Sequence, residues 1–379
     1  MEIQKNHQLR PGTILDGRYE IGSVLGEGGF GITYAGTHLT TGDKVAVKEL
    51  FCKDYMYRDI NTTGRVVVTE DSSEKRLEAE RRRFLKEARI VRDLANEDSI
   101  VSVLDYFEEN ETAYIVMEFI EGVTLQQYVK ENGRYDPKQL YTEMRPLMQA
   151  LFRMHRAGVI HRDISPDNII RTEDGHLVLI DFGSAKRVSN KTQTTSTSFK
   201  DGYAPPEQYR PGKDVFPSLD VYSLCATMYF CLTGVTPEIS LHRALVDELK
   251  PVSAHVSVPK EVSRIIAKGM SLHQEERQKD TDELISDFDE VYPYITPEEE
   301  AQIRNNKLRR IRIAAAVLLI AVAAGAIHII TNLTEYKMKF QETVVTHYSW
   351  DHKADREAMT EILRGRIEAF AGKNNYLFT

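Results

Sequence analysis

The pattern of hydrophobic and polar positions divides the chain into a front part of strands and a back part of helices. Within the first 120 positions, apolar and polar residues alternate in short runs, as they do in half-buried strands. These runs lie at 19–24, 32–35, 45–50, 101–107 and 112–119. One helix is expected among them at 73–94, because apolar residues recur there at helical spacing.

After Gly122 the spacing of apolar residues becomes helical. The predicted helices lie at 124–129, 138–157, 219–232 and 262–270. This change predicts two lobes that meet near residue 120, an N-lobe at 19–120 and a C-lobe at 121–290.

Two stretches of the front part fall outside the predicted strands and helix. Residues 1–18 form an N-terminal extension that precedes the first strand. Residues 51–72 are irregular with some β-favouring positions, and they predict an inserted loop or β-element. Two interpretations of this insertion stay open: it regulates the helix that follows, or it only decorates the N-lobe.

One segment near the C-terminus is apolar over enough residues to cross a membrane. Residues 313–330 are 18 positions without a formal charge, and as a helix they would be about 27 Å long, against roughly 30 Å for a hydrocarbon core. Five basic residues stand just before it: Arg304, Lys307, Arg309, Arg310 and Arg312. By the positive-inside rule, residues 1–312 stay in the cytoplasm and residues 334–379 are translocated. A buried, alanine-rich core helix is the alternative.

The predicted order of the C-terminal part is therefore a basic juxtamembrane linker at 291–312, a single transmembrane helix at 313–333 and a short extracytoplasmic tail at 334–379. Within the tail, apolar residues between Met359 and Phe370 recur at helical spacing. A short amphipathic helix there either forms a homodimer, contacts a ligand or lies on the membrane surface. The shortness of the tail disfavours a receptor whose main function lies outside the cell.

Composition narrows the classes of partner and compartment. The net charge of −8 gives no reason to expect a nucleic-acid partner. The three cysteines, Cys52, Cys225 and Cys231, include no CxxC pair, which argues against a zinc site or a disulfide framework and indicates a reducing compartment. The first residues contain no apolar segment of the kind found in a signal peptide.

Several short motifs carry candidate chemistry. The segment LGEGGFG has Gly26, Gly28 and Gly31 in G-x-G-x-x-G spacing, a weak signal that a flexible hairpin turn also produces. A dinucleotide fingerprint is excluded, because a predicted strand rather than a helix follows Gly31. Lys48 ends the apolar segment VAVK, and Glu87 on the predicted helix is the expected partner for its ammonium group.

The segment HRDISPDN is too polar for a core strand. Asp163 can orient a hydroxyl group and accept its proton, and Asn168 offers an amide oxygen five residues later. Asp181 follows a buried strand in the tripeptide DFG. Asn168 and Asp181 together predict an oxygen-rich Mg²⁺ site that also uses substrate phosphates, with Mn²⁺ as an alternative ion.

Taken in order, these motifs resemble those of the eukaryotic-like Ser/Thr protein kinases of bacteria, in a membrane-anchored form with an HRDxSPDN variant. The resemblance covers about residues 19–290. It rests on GEGGFG, VAVK, Glu87, HRDISPDN, DFG, the PPE at 205–207 and DVYSL around Asp220. It implies an α+β, bilobal protein-kinase fold with a β-rich N-lobe and an α-rich C-lobe, followed by the transmembrane helix. The PPE segment and Arg277, the expected partner of Glu207, favour protein substrates over small molecules.

The resemblance also implies a role for each motif residue. Lys48, held by Glu87, would contact the ATP phosphates, Asp163 would orient the acceptor hydroxyl, and Asn168 and Asp181 would hold the metal ion. The ATP pocket is assigned to Leu25, Gly26, Gly28, Gly31, Thr33, Ala46, Lys48, Glu118, Ile120 and Ile170. ATP-dependent phosphorylation of Ser and Thr on proteins, in signalling at the membrane, is the expected function. A pseudokinase scaffold that binds nucleotide or partners without transfer is the alternative.

Two departures from the family pattern concern one place. Ser165 stands where Ser/Thr kinases usually have a Lys, and Lys200 stands where they usually have a Thr. In the family fold these two positions meet, so we expect Lys200 to supply the missing charge from the other side. A solvated loop lysine is the alternative. Thr33, in place of the usual Val, is a milder change.

The segment 184–201 resembles an activation segment and is rich in hydroxyl groups. Its candidates for autophosphorylation are Thr192, Thr194, Thr195, Ser196, Thr197 and Ser198. A phosphate beside Arg162 would order the segment. A flexible polar loop is the alternative interpretation.

Overall fold

The computed structural model describes most of the chain. The residues described are 7–29, 31–58, 65–68, 72–92, 97–182, 186–187, 200–210, 215–294, 297–347 and 353–374. They belong to two compact units, Met1–Tyr294 and Ile295–Thr379.

The N-lobe of the first unit is an antiparallel sheet with one helix. Its elements are β1 (Ile14–Leu15), β2 (Tyr19–Glu27), β3 (Gly31–His38), β4 (Lys44–Leu50), β5 (Met56–Arg58), β6 (Val66–Val68), α1 (Ser72–Arg92), β7 (Val103–Glu109) and β8 (Thr112–Glu118). The six-stranded sheet has the order β1-β2-β3-β4-β8-β7, while β5 and β6 pair only with each other. The inserted stretch thus contains a short hairpin of its own.

Side-chain alternation explains how these strands form a sheet with a buried face. Along β3 and β4, residues such as Ile32, Tyr34, Val45 and Val47 are at most 1% exposed, while their neighbours are partly exposed. The predicted hairpin turn is present between β7 and β8, where Asn110 has a positive φ of 53°. Asn tolerates this left-handed conformation better than most residues.

The C-lobe is mainly helical. Its elements are β9 (Val123–Thr124), α2 (Leu125–Asn132), α3 (Pro137–Arg156), β10 (Val159–Ile160), β11 (Ile169–Arg171), β12 (Leu177–Leu179), β13 (Lys186–Arg187), α4 (Ser218–Thr233), α5 (Ser240–Arg243), α6 (Lys260–Gly269) and α7 (Thr281–Asp289). The predicted helices agree with these to within a few residues at each end, and the bilobal fold is confirmed.

Two helices show why the sequence folds this way locally. At the start of α3, the carboxylate of Asp136 accepts hydrogen bonds from the backbone N–H groups of Lys138 and Gln139, both at 3.0 Å, and Pro137 takes the first helical position. Every residue of α4 is buried, which explains its apolar composition on all sides. Gly234 ends α4 with a φ of 72°.

The second unit consists of two helices, α8 (Pro297–His347) and α9 (Lys353–Asn374). The part Arg304–Lys339 is long and apolar enough to span a membrane, with a mean hydropathy of 2.6 in its most apolar window and none of that window buried. This exposure disfavours the core-helix alternative. Residues 297–312 of the expected linker, the expected span and residues 334–347 of the tail form one continuous helix rather than separate segments, because their Glu, Lys, Arg, Ala and Leu residues favour helix.

Candidate active site

Lys48 lies on β4 and faces the cleft between the lobes. Its Nζ is 2.5 Å from Oδ1 of Asp181. Burial alone would lower the pKa of Lys48, but the carboxylates of Asp181 and Glu87 offset this and raise it. The ammonium group is therefore charged and fixed beside the DFG aspartate.

Glu87 lies on α1 and is 8% exposed. Burial, partly opposed by Lys48, raises the pKa of Glu87 to about 7. The sequence predicts Glu87 as the direct partner of Lys48, whereas the ion pair that Lys48 makes among the described residues is with Asp181. Glu87 acts on Lys48 through its electrostatic field.

The HRDISPDN loop brings Asp163 and Asn168 into contact. The Asn168 amide Nδ2 donates to the backbone oxygen of Asp163 at 2.9 Å and to its Oδ2 at 3.0 Å. Burial, and then the nearby Asp181 carboxylate, raise the pKa of Asp163 to about 7. A carboxylate with a pKa close to working pH suits a proton acceptor.

Asp220, from DVYSL on α4, fixes the backbone of this loop. It is fully buried, and it accepts hydrogen bonds at 2.8 Å from the backbone N–H groups of both His161 and Arg162. His155 Nε2 is also 2.8 Å from Asp220 Oδ2. Arg162 has a φ of 71°, a costly conformation that these bonds hold, together with a 2.6 Å bond from Gln208 Nε2 to its carbonyl oxygen.

The free energy of unfolding depends on pH through His161. Burial lowers the pKa of His161 to about 4, from an ordinary 6.5. Below pH 6.5 the unfolded chain therefore takes up a proton that the folded protein refuses until about pH 4, so stability is lost as pH falls through this window. The slope from this group is at most about 1.4 kcal/mol per pH unit.

We expect His161→Phe to reduce the acid slope of the unfolding free energy by about that amount, because Phe has no proton to bind. The phenyl ring can keep the edge contact with Phe182, whose ring centre lies 4.6 Å from that of His161. Urea unfolding followed by circular dichroism at several pH values measures the slope, and the exposed His242→Phe is the control. Equal slopes for wild type and His161→Phe would contradict the prediction.

The donor set fits a metal ion that is also held by phosphates. Asn168 commits its amide nitrogen to Asp163, and Asp181 presents a carboxylate on a residue with a φ of 69°. Among the described residues, no group of three or more His, Cys, Asp or Glu residues could hold a metal ion alone. An amide oxygen and a carboxylate are hard ligands of the kind Mg²⁺ takes when nucleotide phosphates complete its shell.

The glycine-rich segment joins β2 to β3. A Cβ atom on Gly31 would lie 2.6 Å from the backbone oxygen of Glu49, so packing requires glycine there. A Cβ atom on Gly26 or Gly28 would have no neighbouring heavy atom within 4 Å, so there is room for a ligand against the backbone. The Gly28 N–H donates to the Gly31 oxygen at 2.9 Å and closes the turn.

The other predicted pocket residues lie on neighbouring strands. In the ladder, Thr33 pairs with Lys48, and Ala46 pairs with Met117 next to Glu118. Ile170 lies on β11, and Leu25 is half exposed on β2.

The sequence motifs do not identify Gly122, just beyond Ile120, as a residue of the site. A Cβ atom there would lie 2.3 Å from the Arg171 oxygen, so the chain between the lobes passes against β11. The signal in the sequence was a lone glycine at the point where the pattern changes from strand to helix.

Lys200 contacts the HRDISPDN loop. Its Nζ contacts Oδ2 of Asp167, and its charge lowers the pKa of Asp163 against the larger effect of burial. Ser165 is fully buried, and its Oγ has no hydrogen-bond partner among the described residues. The pairing with Asp167 was not expected from the sequence.

The ion pair predicted between Glu207 and Arg277 is confirmed. Both terminal guanidinium nitrogens of Arg277 contact the Glu207 carboxylate, at 2.6 and 3.0 Å, and Arg277 lies 5.0 Å from the centre of the Tyr222 ring. This bidentate pair fixes the end of the PPE segment on the C-lobe. The candidate phosphorylation sites at 192–198 lie outside the described residues.

Comparisons with known proteins agree with this geometry. The profile of the protein kinase domain matches residues 19–287. A solved structure described as "PpkA-294 apo form" aligns with a TM-score of 0.64 and 27% identity, covering 74% of this chain and 99% of that one. The chain belongs to the protein kinase family.

Curated relatives point to one branch of the family. Serine/threonine-protein kinase B of Synechocystis is 32% identical over 286 residues, which cover 72% of this chain and 46% of that protein. Serine/threonine-protein kinase PrkC of Bacillus subtilis is 30% identical over 286 residues, which cover 73% and 41%. A probable serine/threonine-protein kinase of Clostridium perfringens is 31% identical over 289 residues, which cover 74% and 39%. The chain spans less than half the length of these relatives.

Proposed function

We propose that this chain transfers the γ-phosphoryl group of ATP to Ser and Thr hydroxyls of proteins. The observation that carries the proposal is the convergence at one cleft of Lys48 from β4, Asp181 from the DFG segment, and Asp163 and Asn168 from the HRDISPDN loop. Such a site works mainly by positioning and electrostatics.

Each residue of the site has a stated task. Lys48 binds and orients the ATP phosphates, while Gly26, Gly28 and Gly31 let the backbone lie close over them. Asp163 orients the acceptor hydroxyl and takes its proton, which its raised pKa allows near neutral pH.

Asn168 and Asp181 would hold Mg²⁺, with Mn²⁺ as an alternative ion. When bound, the ion neutralises phosphate charge. The contact between the Asn168 amide and Asp163 links the metal position to the acceptor position, so the same loop sets both.

We propose that a phosphate on one of the Ser or Thr residues within 192–198 binds at Arg162. Burial, and then the nearby Arg83, lower the pKa of Arg162, and its Nε has no partner among the described residues. The positive charge of Arg83 disfavours the charged form of Arg162, and a phosphate dianion at Arg162 would offset this effect.

Transfer of ³²P from labelled ATP to the full chain and to a generic protein tests the proposed activity, with Asp163→Asn as control. Mass spectrometry of the same preparation tests the phosphorylation. An active preparation without a phosphate between 192 and 198 would exclude the Arg162 mechanism. A wild type that binds ATP but transfers nothing would favour the pseudokinase scaffold, which no present observation supports.

We further propose that α8 anchors the chain in the cell membrane as a single-pass protein, with the kinase domain in the cytoplasm. The apolar stretch of α8 and the basic residues at its start support this. A homodimer through the C-terminal helices stays a prediction.

Fusions to alkaline phosphatase, which is active only outside the cytoplasm, test the topology in bacterial cells. We expect a fusion after residue 379 to be active and a fusion after residue 300, before the apolar stretch, to be inactive. Equal activity of the two fusions would contradict the topology, and immunoblots control for their amounts.

A further inference from the structure

Glu27, the last residue of β2, is held at the entrance of the glycine-rich loop by side chains from outside the nucleotide site. His7 Nε2 lies 2.5 Å from Glu27 Oε1, and Gln8 Nε2 donates to the same oxygen at 3.1 Å. Lys53 Nζ donates to Oε2 at 2.8 Å. Burial alone would raise the pKa of Glu27, but these bonds lower it to about 2, so the carboxylate stays charged.

The groups that hold Glu27 are themselves anchored. Residues 7–9 of the N-terminal extension and residues 51–58 of the insertion, here called the brace, are joined where Arg58 Nε donates to the His7 backbone oxygen at 2.9 Å. The His7 and Phe51 rings stack with centres 5.7 Å apart. The Leu9 N–H donates to the Tyr34 hydroxyl at 3.1 Å, which fixes the brace on β3.

The brace also reaches the strand that carries Lys48. Glu49 follows Lys48 on β4, so its side chain points to the opposite face of the sheet, where it is fully buried. It pairs with Arg58 Nη2 at 2.5 Å and accepts hydrogen bonds from the hydroxyls of Tyr34 and Tyr114, both at 2.9 Å. Each carboxylate oxygen thus has a partner, as a buried charge requires.

We propose that the brace positions the glycine-rich loop for ATP. It holds Glu27 at the end of β2, and through Arg58 it holds Glu49, which accepts a hydrogen bond from Tyr34 on β3, the strand after the loop. A loop of glycines is free in conformation, and binding must restrict it. A loop that is already fixed at its entrance loses less freedom when it covers the phosphates. This role differs from both interpretations of the insertion at 51–72, and it rests on the proposed function, because it presumes ATP phosphates under the loop.

The alternative is that the brace only stabilises the N-lobe. The two roles differ in the ligand they affect. A positioning role weakens the binding of ATP, whose phosphates lie under the loop, and spares adenosine, which has none. A purely structural role weakens both ligands together or neither.

Two variants of the full chain in detergent test this from opposite sides, Glu27→Ala in the loop strand and Lys53→Ala in the brace. We expect the Kd for ATP with Mg²⁺, measured by calorimetry, and the KM for ATP to rise about tenfold in Glu27→Ala, because its charge-assisted hydrogen bonds are lost. A smaller rise in the same direction is expected for Lys53→Ala. The Kd for adenosine and the kcat should change less than twofold, and Lys53→Arg should restore ATP binding.

Glu109→Ala is the matched control. It removes another tie of the N-terminal segment, the 2.7 Å hydrogen bond from the Asp16 N–H to Glu109 Oε2, at the opposite end of β2. Its ATP binding should match that of the wild type. ATP binding within twofold of wild type in both test variants, or equal weakening of ATP and adenosine, would overturn the positioning role alone. A wild type that binds no ATP would instead overturn the proposed function and with it this inference.

Discussion

Replacing Asp163 with Asn should lower kcat for phosphoryl transfer by about 10²- to 10⁴-fold, the usual contribution of a positioned proton acceptor. The amide has the same shape as the carboxylate and can still accept the hydrogen bond from Asn168 that the structure shows at 3.0 Å. It cannot take the proton of the acceptor hydroxyl. The loss should therefore appear in kcat, with little change in the KM for ATP.

Because the pKa of Asp163 is raised, this substitution should change the rate of transfer without changing the stability of the fold. A carboxyl whose pKa lies near 7 is already partly neutral at working pH, so a neutral amide should leave the stability of the fold nearly unchanged. Asp174→Asn is the control, because it makes the same change of charge at an exposed loop of the same lobe. A rate for Asp163→Asn above one tenth of the wild-type rate would exclude the assigned role.

The sequence predicted the bilobal fold because ordered motifs and two hydrophobic periods agreed with each other. It also predicted the Glu207–Arg277 pair, since both residues belong to motif segments with defined places. It could not predict the buried charges at Glu49 and Arg58, because a strand pattern shows that a position is inward but not which polar partner meets it there.

For a related reason, contacts made by irregular segments could not be predicted from the sequence. His7, Lys53 and Glu27 have no common spacing, because they come from the N-terminal extension, the inserted segment and β2, which meet only in the folded protein. The contact of Lys200 with Asp167 likewise joins two irregular segments that are far apart in the sequence, and no local pattern predicts such a contact. Local propensity, by contrast, explains why α8 continues through charged residues on both sides of its apolar stretch.

The second large effect is expected at Lys200. Its ammonium group contacts Asp167 and acts on Asp163, and the fully buried Ser165 lies between these two residues in the sequence. If Lys200 supplies the charge that the family usually places at position 165, Lys200→Ala should lower kcat by about 10²-fold, the range for losing one preorganised group that stabilises developing charge. Lys200→Arg keeps the charge and should keep most of the rate. A rate for Lys200→Ala within twofold of wild type would exclude the exchange.

A structural role of the ion pair is separated from a catalytic one by its other partner. Asp167→Asn removes the ion pair but leaves the charge of Lys200 near Asp163, so its kcat should fall far less than that of Lys200→Ala. Equal losses in the two single variants, with no further loss in the double variant, would show that the pair only shapes the loop. Moving the charge gives the strongest test: Lys200→Thr should be slow, and adding Ser165→Lys should restore the rate, since a lysine at 165 would then supply the cation from the side of the HRDISPDN loop.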